Sequence, residues 1–215
     1  MGGRPSTCCA STDRKLLYEV TKRCMDVVMS LALLVLLLPL MLLVALAIRL
    51  DSPGAALLKQ KRIGRDRVPF DCYKFRSMCV DAEAQRKALA HRNEMTGPVF
   101  KIRSDPRVTR VGRVLRKYSL DELPQLINVL KGEMSLVGPR PPLPEEVERY
   151  EPRHMKRLEV KPGLTCIWQV SGRNEICFER WVELDIEYIE HRSLWLDLVI
   201  LVRTVPAVIT ARGAY

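Results

Sequence analysis

The sequence is poor in histidine. His91, His154 and His191 are its only three, and none stands at the spacing of a metal-ligand pair. A glycine-rich Walker loop, an HExxH pair and a GxSxG elbow are all missing, so P-loop nucleotide hydrolysis, zincin proteolysis and α/β-hydrolase chemistry find little support. The seven cysteines, at positions 8, 9, 24, 72, 79, 166 and 177, are odd in number and form no CxxC pair. That argues against structural zinc or a thioredoxin-type centre and for free thiols in a reducing compartment. No internal repeat is visible, and the one long biased tract is an apolar run near the N-terminus.

Lys and Arg number 35 against 25 acids, a net charge of +10 that favours anionic partners such as phospholipid head groups, nucleotides or polyphosphates. Nucleic acid fits poorly, because the basic residues adjoin apolar segments and no reading helix or aromatic platform is evident. A length of 215 residues suggests one principal domain.

From Val27 to Ile48 there are 22 residues without a charge. As one helix they extend about 33 Å, roughly the thickness of a bilayer's hydrocarbon core. The run is too long for a signal peptide's core and is followed by Arg49-Leu50-Asp51-Ser52-Pro53 rather than a small-x-small cleavage site. Pro39 lies near its middle, where a missing donor kinks a helix, and both flanks are basic: Lys22 and Arg23 before it, Arg49, Lys59, Lys61, Arg62 and Arg65 after it. A helix broken at Pro39 that enters and leaves by the cytoplasmic face satisfies both flanks, whereas an ordinary spanning helix with a tolerated proline is the alternative. Residues 13 to 26 read as an amphipathic surface helix, with residues 1 to 12 poorly ordered. Ser193 to Thr210 is a second apolar segment, but Asp197, Arg203 and Pro206 make it an interfacial or core-packed helix rather than a span.

In the remainder, Lys59 to Arg76 reads as a strand hairpin, and Val80 to Arg92, Glu145 to Glu151 and Trp181 to His191 as helices. Val99 to Ile102 is apolar enough to touch the core. Residues 101 to 117 carry seven Lys and Arg, among them Lys101, Arg113, Arg116 and Lys117, and lead directly into Asp121-Glu122. The bland reading of this acidic pair is helix capping, with Asp121 as N-cap or Ser119 and Glu122 as a capping box. The sharper reading divides the labour: one carboxylate attacks phosphorus while the other holds Mg²⁺, with the basic run neutralising phosphate charge. Arg140, in Gly138-Pro139-Arg140-Pro141-Pro142, is held by residues that restrict the backbone and suits a phosphate or base contact.

These features lie within blocks that resemble the bacterial sugar transferase family, the monotopic phosphoglycosyl transferases. The blocks are Lys22-Arg23-x-x-Asp26, KQKRIG at 59 to 64, KFRSM at 74 to 78, SLDELPQLINVLKGEMSLVGPRP at 119 to 141, KPGLTCIWQVSGR at 161 to 173 and SLWLDLVIL at 193 to 201. The resemblance runs from about Lys22 to Tyr215. It implies an α/β, mostly helical monotopic membrane protein in the small form that carries only the catalytic domain. The expected layout is a tail and the start of an interfacial helix over 1–20, a re-entrant helix over 21–50 and a cytosolic catalytic domain over 51–215 with a membrane-associated C-terminal helix.

The activity implied is Mg²⁺-dependent transfer of a sugar 1-phosphate, in the hexose-1-phosphate style, from a UDP-sugar to undecaprenyl phosphate with release of UMP. That is the first membrane step of exopolysaccharide, lipopolysaccharide or other glycoconjugate assembly, on the cytoplasmic face of the bacterial inner membrane. By the same resemblance Asp121 is the nucleophile that forms a phosphosugar-enzyme intermediate and Glu122 belongs to the Mg²⁺ site. Lys22, Arg23, Asp26, Lys59, Arg62, Arg76, Arg113, Arg116, Lys117, Arg140 and Arg173 are the expected substrate contacts. Anionic phospholipid and a second copy in a homodimer are further expected partners. The rival from another class is a non-enzymatic membrane scaffold for glycan assembly.

Overall fold

The computed structural model describes residues 7–172, 176–211 and 213, with side chains from Lys15 onward. Helix α1 runs without interruption from Thr7 to Asp51 and includes Pro39. Two expectations are thereby corrected. Residues 7 to 26 are the first turns of this helix rather than a poorly ordered tail and a separate surface helix, and Pro39 lies within the helix rather than breaking it. A proline removes only its own donor, and in apolar surroundings each further unpaired backbone group would cost more, so the flanking turns keep their bonds.

One face of α1 is buried toward both ends of its apolar run and half-buried between them. Lys22, Asp26, Ser30, Val44 and Ile48 are buried, and Leu33, Leu34, Met41 and Ala45 pack on the same side at spacings of three or four. The other face leaves Leu31, Val35, Leu36, Leu38, Leu42, Leu43 and Leu46 exposed, a surface suited to lipid rather than water. Among the described residues this is the one helix long and apolar enough to cross a membrane.

Both ends of α1 are held by the same body. At the first, Lys22 Nζ lies 2.9 Å from Asp197 Oδ2, Arg23 donates to the carbonyls of Val129 and Leu130, and the Leu136 N–H donates to Asp26 Oδ1 at 3.0 Å. At the second, the Val111 N–H donates to Asp51 Oδ2 at 3.1 Å, and Arg76 donates to the carbonyls of Ser52 and Pro53. Strands β1 (Leu57–Ile63) and β2 (Pro69–Phe75) follow as the expected antiparallel hairpin, in a register that pairs Gln60 with Cys72 and Arg62 with Phe70. Its two faces differ. Arg62, Phe70 and Cys72 are buried, while Lys59, Lys61 and Leu57 face solvent.

Helix α2 (Ala82–Ala88) with a 3-10 turn at Ala90–Arg92 replaces the single helix expected over 80–92. Helices α3 (Arg110–Lys117) and α4 (Gln125–Lys131) come next. Asn128 of α4 closes the edge of β2, accepting from the Tyr73 N–H at 2.9 Å and donating to the Asp71 carbonyl at 2.7 Å, as a neighbouring strand would. A short parallel pair then forms from β3 (Ser135–Val137) and β4 (Gly163–Thr165), which the sequence did not announce. Between them the acidic segment gives only the single turn α5 (Pro144–Val147).

Helix α6 (Ile167–Ser171) sets Trp168 on Trp181 of α7 (Phe178–His191) with ring centroids 4.3 Å apart. Trp181, Leu184, Asp185 and Tyr188 are buried on one side of α7. Helix α8 (Leu194–Thr210) packs against the core, and its costly acid is resolved by pairing: Asp197 is fully buried and receives Tyr18, Lys22 and Tyr188.

Candidate active site

Asp121 and Glu122 occupy one 3-10 turn, Leu120–Glu122, between α3 and α4. Ser119 precedes it with φ 53°, a left-handed conformation that costs a serine on the order of 1 kcal/mol and reverses the chain into the turn. Neither capping register is realised. Ser119 makes no side-chain cap, and α4 begins after Pro124, also without one. The two acids are therefore available for something other than closing a helix.

Their first partner is Lys74 of β2, whose Nζ lies 2.9 Å from Asp121 Oδ2 and 3.3 Å from Glu122 Oε1. Sequence reasoning missed Lys74 as a site residue although it opens the KFRSM block. The available signal was the period of a strand: Arg62, Cys72 and Lys74 share one face of the hairpin. Asp121 is only 2% exposed and sits behind Lys74, whereas Glu122 opens onto a cleft of about 330 Å³. Arg62, Lys74 and Arg140 bring three cations to that cleft, and Gln60, Gln125 and Gln169 bring three amides that no site expectation included.

Arg140 reaches the cleft through an unusually close crossing of backbones. A Cβ on Gly163 would lie 2.0 Å from the Gly138 nitrogen, so only glycines let the end of β3 pass the start of β4 here. The proline-flanked segment then docks on β1, with the Ile63 N–H donating to Pro142 O at 3.0 Å and Arg62 Nη1 to Pro141 O at 2.8 Å. Arg62 and Arg140 thus sit close together. Burial, then the Arg140 charge, pushes Arg62 down to about 10.

The acids feel the same field. Burial alone would raise Glu122, but Lys74, Arg140 and Arg62 together hold it below its ordinary value and so ionised. Burial, reinforced by Arg140 and Arg116, pushes Lys101 down to about 7. Arg116 is lowered by burial, with Asp121 acting in the opposite direction, and its Nε donates to Ser77 Oγ at 3.0 Å.

Of the expected substrate contacts, Arg62 and Arg140 meet Glu122 in the cleft, and Arg116 is electrostatically coupled to both acids. The others lie elsewhere. Lys59 is on the solvent face of the hairpin, 5.8 Å from the Tyr73 ring centroid. Arg76 holds the turn after α1, because β2 ends at Phe75 and the chain bends away from the cleft. Arg113 and Lys117 are exposed on α3 and make no ion pair among the described residues. Lys22, Arg23 and Asp26 fasten α1 to the domain, and Arg173 lies outside the described residues.

Among the described residues no three His, Cys, Asp or Glu side chains cluster, so no all-protein cation cage is built. Glu122 at the cleft and Asp121 behind it are instead a donor pair of the kind Mg²⁺ uses when water and substrate oxygens complete its shell. Chemically, the site sets a buried carboxylate and an ionised neighbour beside Lys74, Arg62 and Arg140.

A model of the bacterial sugar transferase family matches residues 17–211. Galactosyl transferase CpsE of Streptococcus agalactiae is 50% identical over 168 residues, which are 78% of this chain and 37% of that protein. Exopolysaccharide production protein ExoY of Sinorhizobium fredii is 42% identical over 200 residues, 91% of this chain and 88% of that protein. The UDP-glucose:undecaprenyl-phosphate glucose-1-phosphate transferase of Caulobacter vibrioides is 43% identical over 210 residues, 94% of this chain and 74% of that protein. The chain spans well under half the length of several curated relatives that it matches, CpsE among them.

Proposed function

The chain belongs to the bacterial sugar transferase family, and from that premise we propose that it transfers a hexose 1-phosphate from a UDP-sugar to undecaprenyl phosphate, releasing UMP. The observation that carries this reading is the pairing of Lys74 with both Asp121 and Glu122 at the edge of a cleft that also holds Arg62 and Arg140. An Asp121 carboxylate oxygen attacks the sugar-bearing phosphorus of the donor; the new O–P bond forms as the diphosphate bridge breaks, and UMP leaves with the bridging oxygen. An oxygen of the acceptor phosphate then attacks the same phosphorus, and the aspartyl bond breaks to restore the carboxylate. Arg62 and Arg140 bind the diphosphate. Lys74 holds the nucleophile until donor phosphate competes for its ammonium, which exposes Asp121.

Glu122, with Asp121 beside it, would hold Mg²⁺, which when bound neutralises phosphate charge as a Lewis acid. Entry and exit by the cytoplasmic face draw support from α1: although the helix is not broken at Pro39, both ends of its apolar stretch are fixed to one folded body. Such a body stays on one side of the bilayer, where it meets a soluble nucleotide and a lipid phosphate together.

Exchange of labelled UMP into the UDP-sugar, without polyprenyl phosphate and with Mg²⁺ supplied, tests the covalent intermediate; no exchange by protein that turns over would sink it. A UDP-sugar panel read by UMP release identifies the donor. Labels placed before Lys22 and after Arg49 report topology, and finding them on opposite faces would restore a spanning helix.

A further inference from the structure

A second cleft, of about 360 Å³, shares no lining residue with the first. Lys22, Arg23, Lys161 and Arg192 line it against only two acids, Glu19 and Asp26. Two of the four cations are already paired, Lys22 with Asp197 at 2.9 Å and Arg192 with Glu19 at 2.9 Å, and Asp26 accepts from the Leu136 N–H. Arg23 caps α4 through neutral carbonyls, which leaves its charge without an acid.

Lys161 is different: among the described residues it makes no hydrogen bond or ion pair. Its Nζ and Arg23 Nη2 converge beside Gly132, lying 3.6 and 3.4 Å from the place a Cβ there would take. Burial, and then the Arg23 charge, holds Lys161 below the usual lysine range. Two cations gathered in a half-buried cleft are unfavourable until an anion bridges them.

The setting of the cleft indicates the kind of anion. The apolar run of α1 begins at Val27, one residue beyond Asp26, and the exposed apolar stripe of α8 begins at Trp195, three residues beyond Arg192. That stripe continues through Leu198, Val202, Val205 and Ile209, and both helices pack on one core cluster through Met29, Leu33, Leu196 and Leu201. A basic cleft where two apolar faces begin matches an amphiphile, with a phosphate in the cleft and acyl chains over the helices.

We propose that this cleft is a second phosphate site, distinct from the catalytic one, that seats the head-group phosphate of an anionic membrane phospholipid between Lys161 and Arg23. It rests on the membrane reading of α1 and not on the proposed transfer chemistry, so its test reads binding and never turnover.

The experiment is thermal melting of the full chain in neutral maltoside detergent, titrated with short-chain phosphatidylglycerol. Lys161→Gln breaks no ion pair among the described residues, and its melting temperature without lipid checks that it is folded. We expect a saturable rise in melting temperature for the unaltered protein, a half-saturating concentration about five-fold or more higher in Lys161→Gln, and restoration by Lys161→Arg. Lys59→Gln, on the solvent face of the hairpin, should respond as the unaltered protein does. Equal responses of Lys161→Gln and the unaltered protein would overturn the site. An equal rise with diacylglycerol of the same chain length would show apolar binding alone, and the whole rise with inorganic phosphate would show a soluble-anion site; either result overturns the lipid assignment.

Discussion

Replacing Lys74 with methionine keeps the aliphatic stem and removes the charge that Asp121 and Glu122 share. Once the donor phosphate has taken the Lys74 ammonium from Asp121, a unit pair about 3 Å apart in an effective dielectric of about 20 attracts by about 6 kcal/mol. Arg62 and Arg140 remain, and water follows the vacated ammonium, so roughly half of that is lost: about 3 kcal/mol, or on the order of 10² in kcat/KM. The pH profile carries the second signature. Lys74 is the foremost of the charges holding Glu122 below its ordinary value, so its loss raises that carboxylate and moves the acid limb of activity to higher pH. The sign follows from linkage: a depressed carboxylate keeps its charge until pH falls through the depressed value, and Lys74→Met makes that loss come earlier. UMP release measured against pH, with melting temperature as a check on folding, decides the matter. A loss under about threefold with an unmoved acid limb would refute the role given to Lys74.

Asp121→Asn should abolish both turnover and UMP exchange while changing the melting temperature by only a few degrees, because this side chain caps no helix and Lys74, a quarter exposed, keeps Glu122 as its partner; residual exchange would remove Asp121 as nucleophile. Lys101, pushed down to about 7 by burial and its cationic neighbours, loses its charge as pH rises. The donor KM should therefore climb several-fold between about pH 6 and about pH 8, and Lys101→Arg should flatten that climb; an identical climb in the variant rules the idea out. Asp197→Ala leaves the buried Lys22 without its 2.9 Å partner. It should cost about 3 kcal/mol, seen as a drop of roughly 10 °C in detergent melts.

What the sequence exposed depended on the length over which a pattern could repeat. The apolar run of α1 and the burial period of α7 each extend over several turns, and both appear in the structure with the expected type. Strands β3 and β4 have three residues each, too few for alternation to show, and their pairing depends on the Gly138–Gly163 crossing, which joins residues distant in sequence. Charge was easy to count and hard to direct. Lys59 and Arg62 stand three apart in one strand, and the pleat sends the first to solvent and the second to the cleft. Lys74 and Arg76 stand two apart, yet the end of β2 at Phe75 falls between them and turns Arg76 toward α1. Register and strand ends are tertiary facts, so a run of basic residues named the right neighbourhood and the wrong members.

The same tertiary view joins the membrane helix to the chemistry. Asp121 and Glu122 lie in the turn between α3 and α4, and α1 grips both flanking helices: Asp51 accepts from Val111 at the start of α3, and Arg23 donates to the last carbonyls of α4. Each grip is placed where helix ends need it, an acid at an N-terminus and a cation at a C-terminus. The apolar stretch from Val27 to Ile48 lies between the two grips. The acidic pair is therefore tied, through the helix on either side of it, to the two ends of the apolar run. The charges flanking the run thus position the site, although none of Lys22, Arg23 and Asp26 reaches the catalytic cleft.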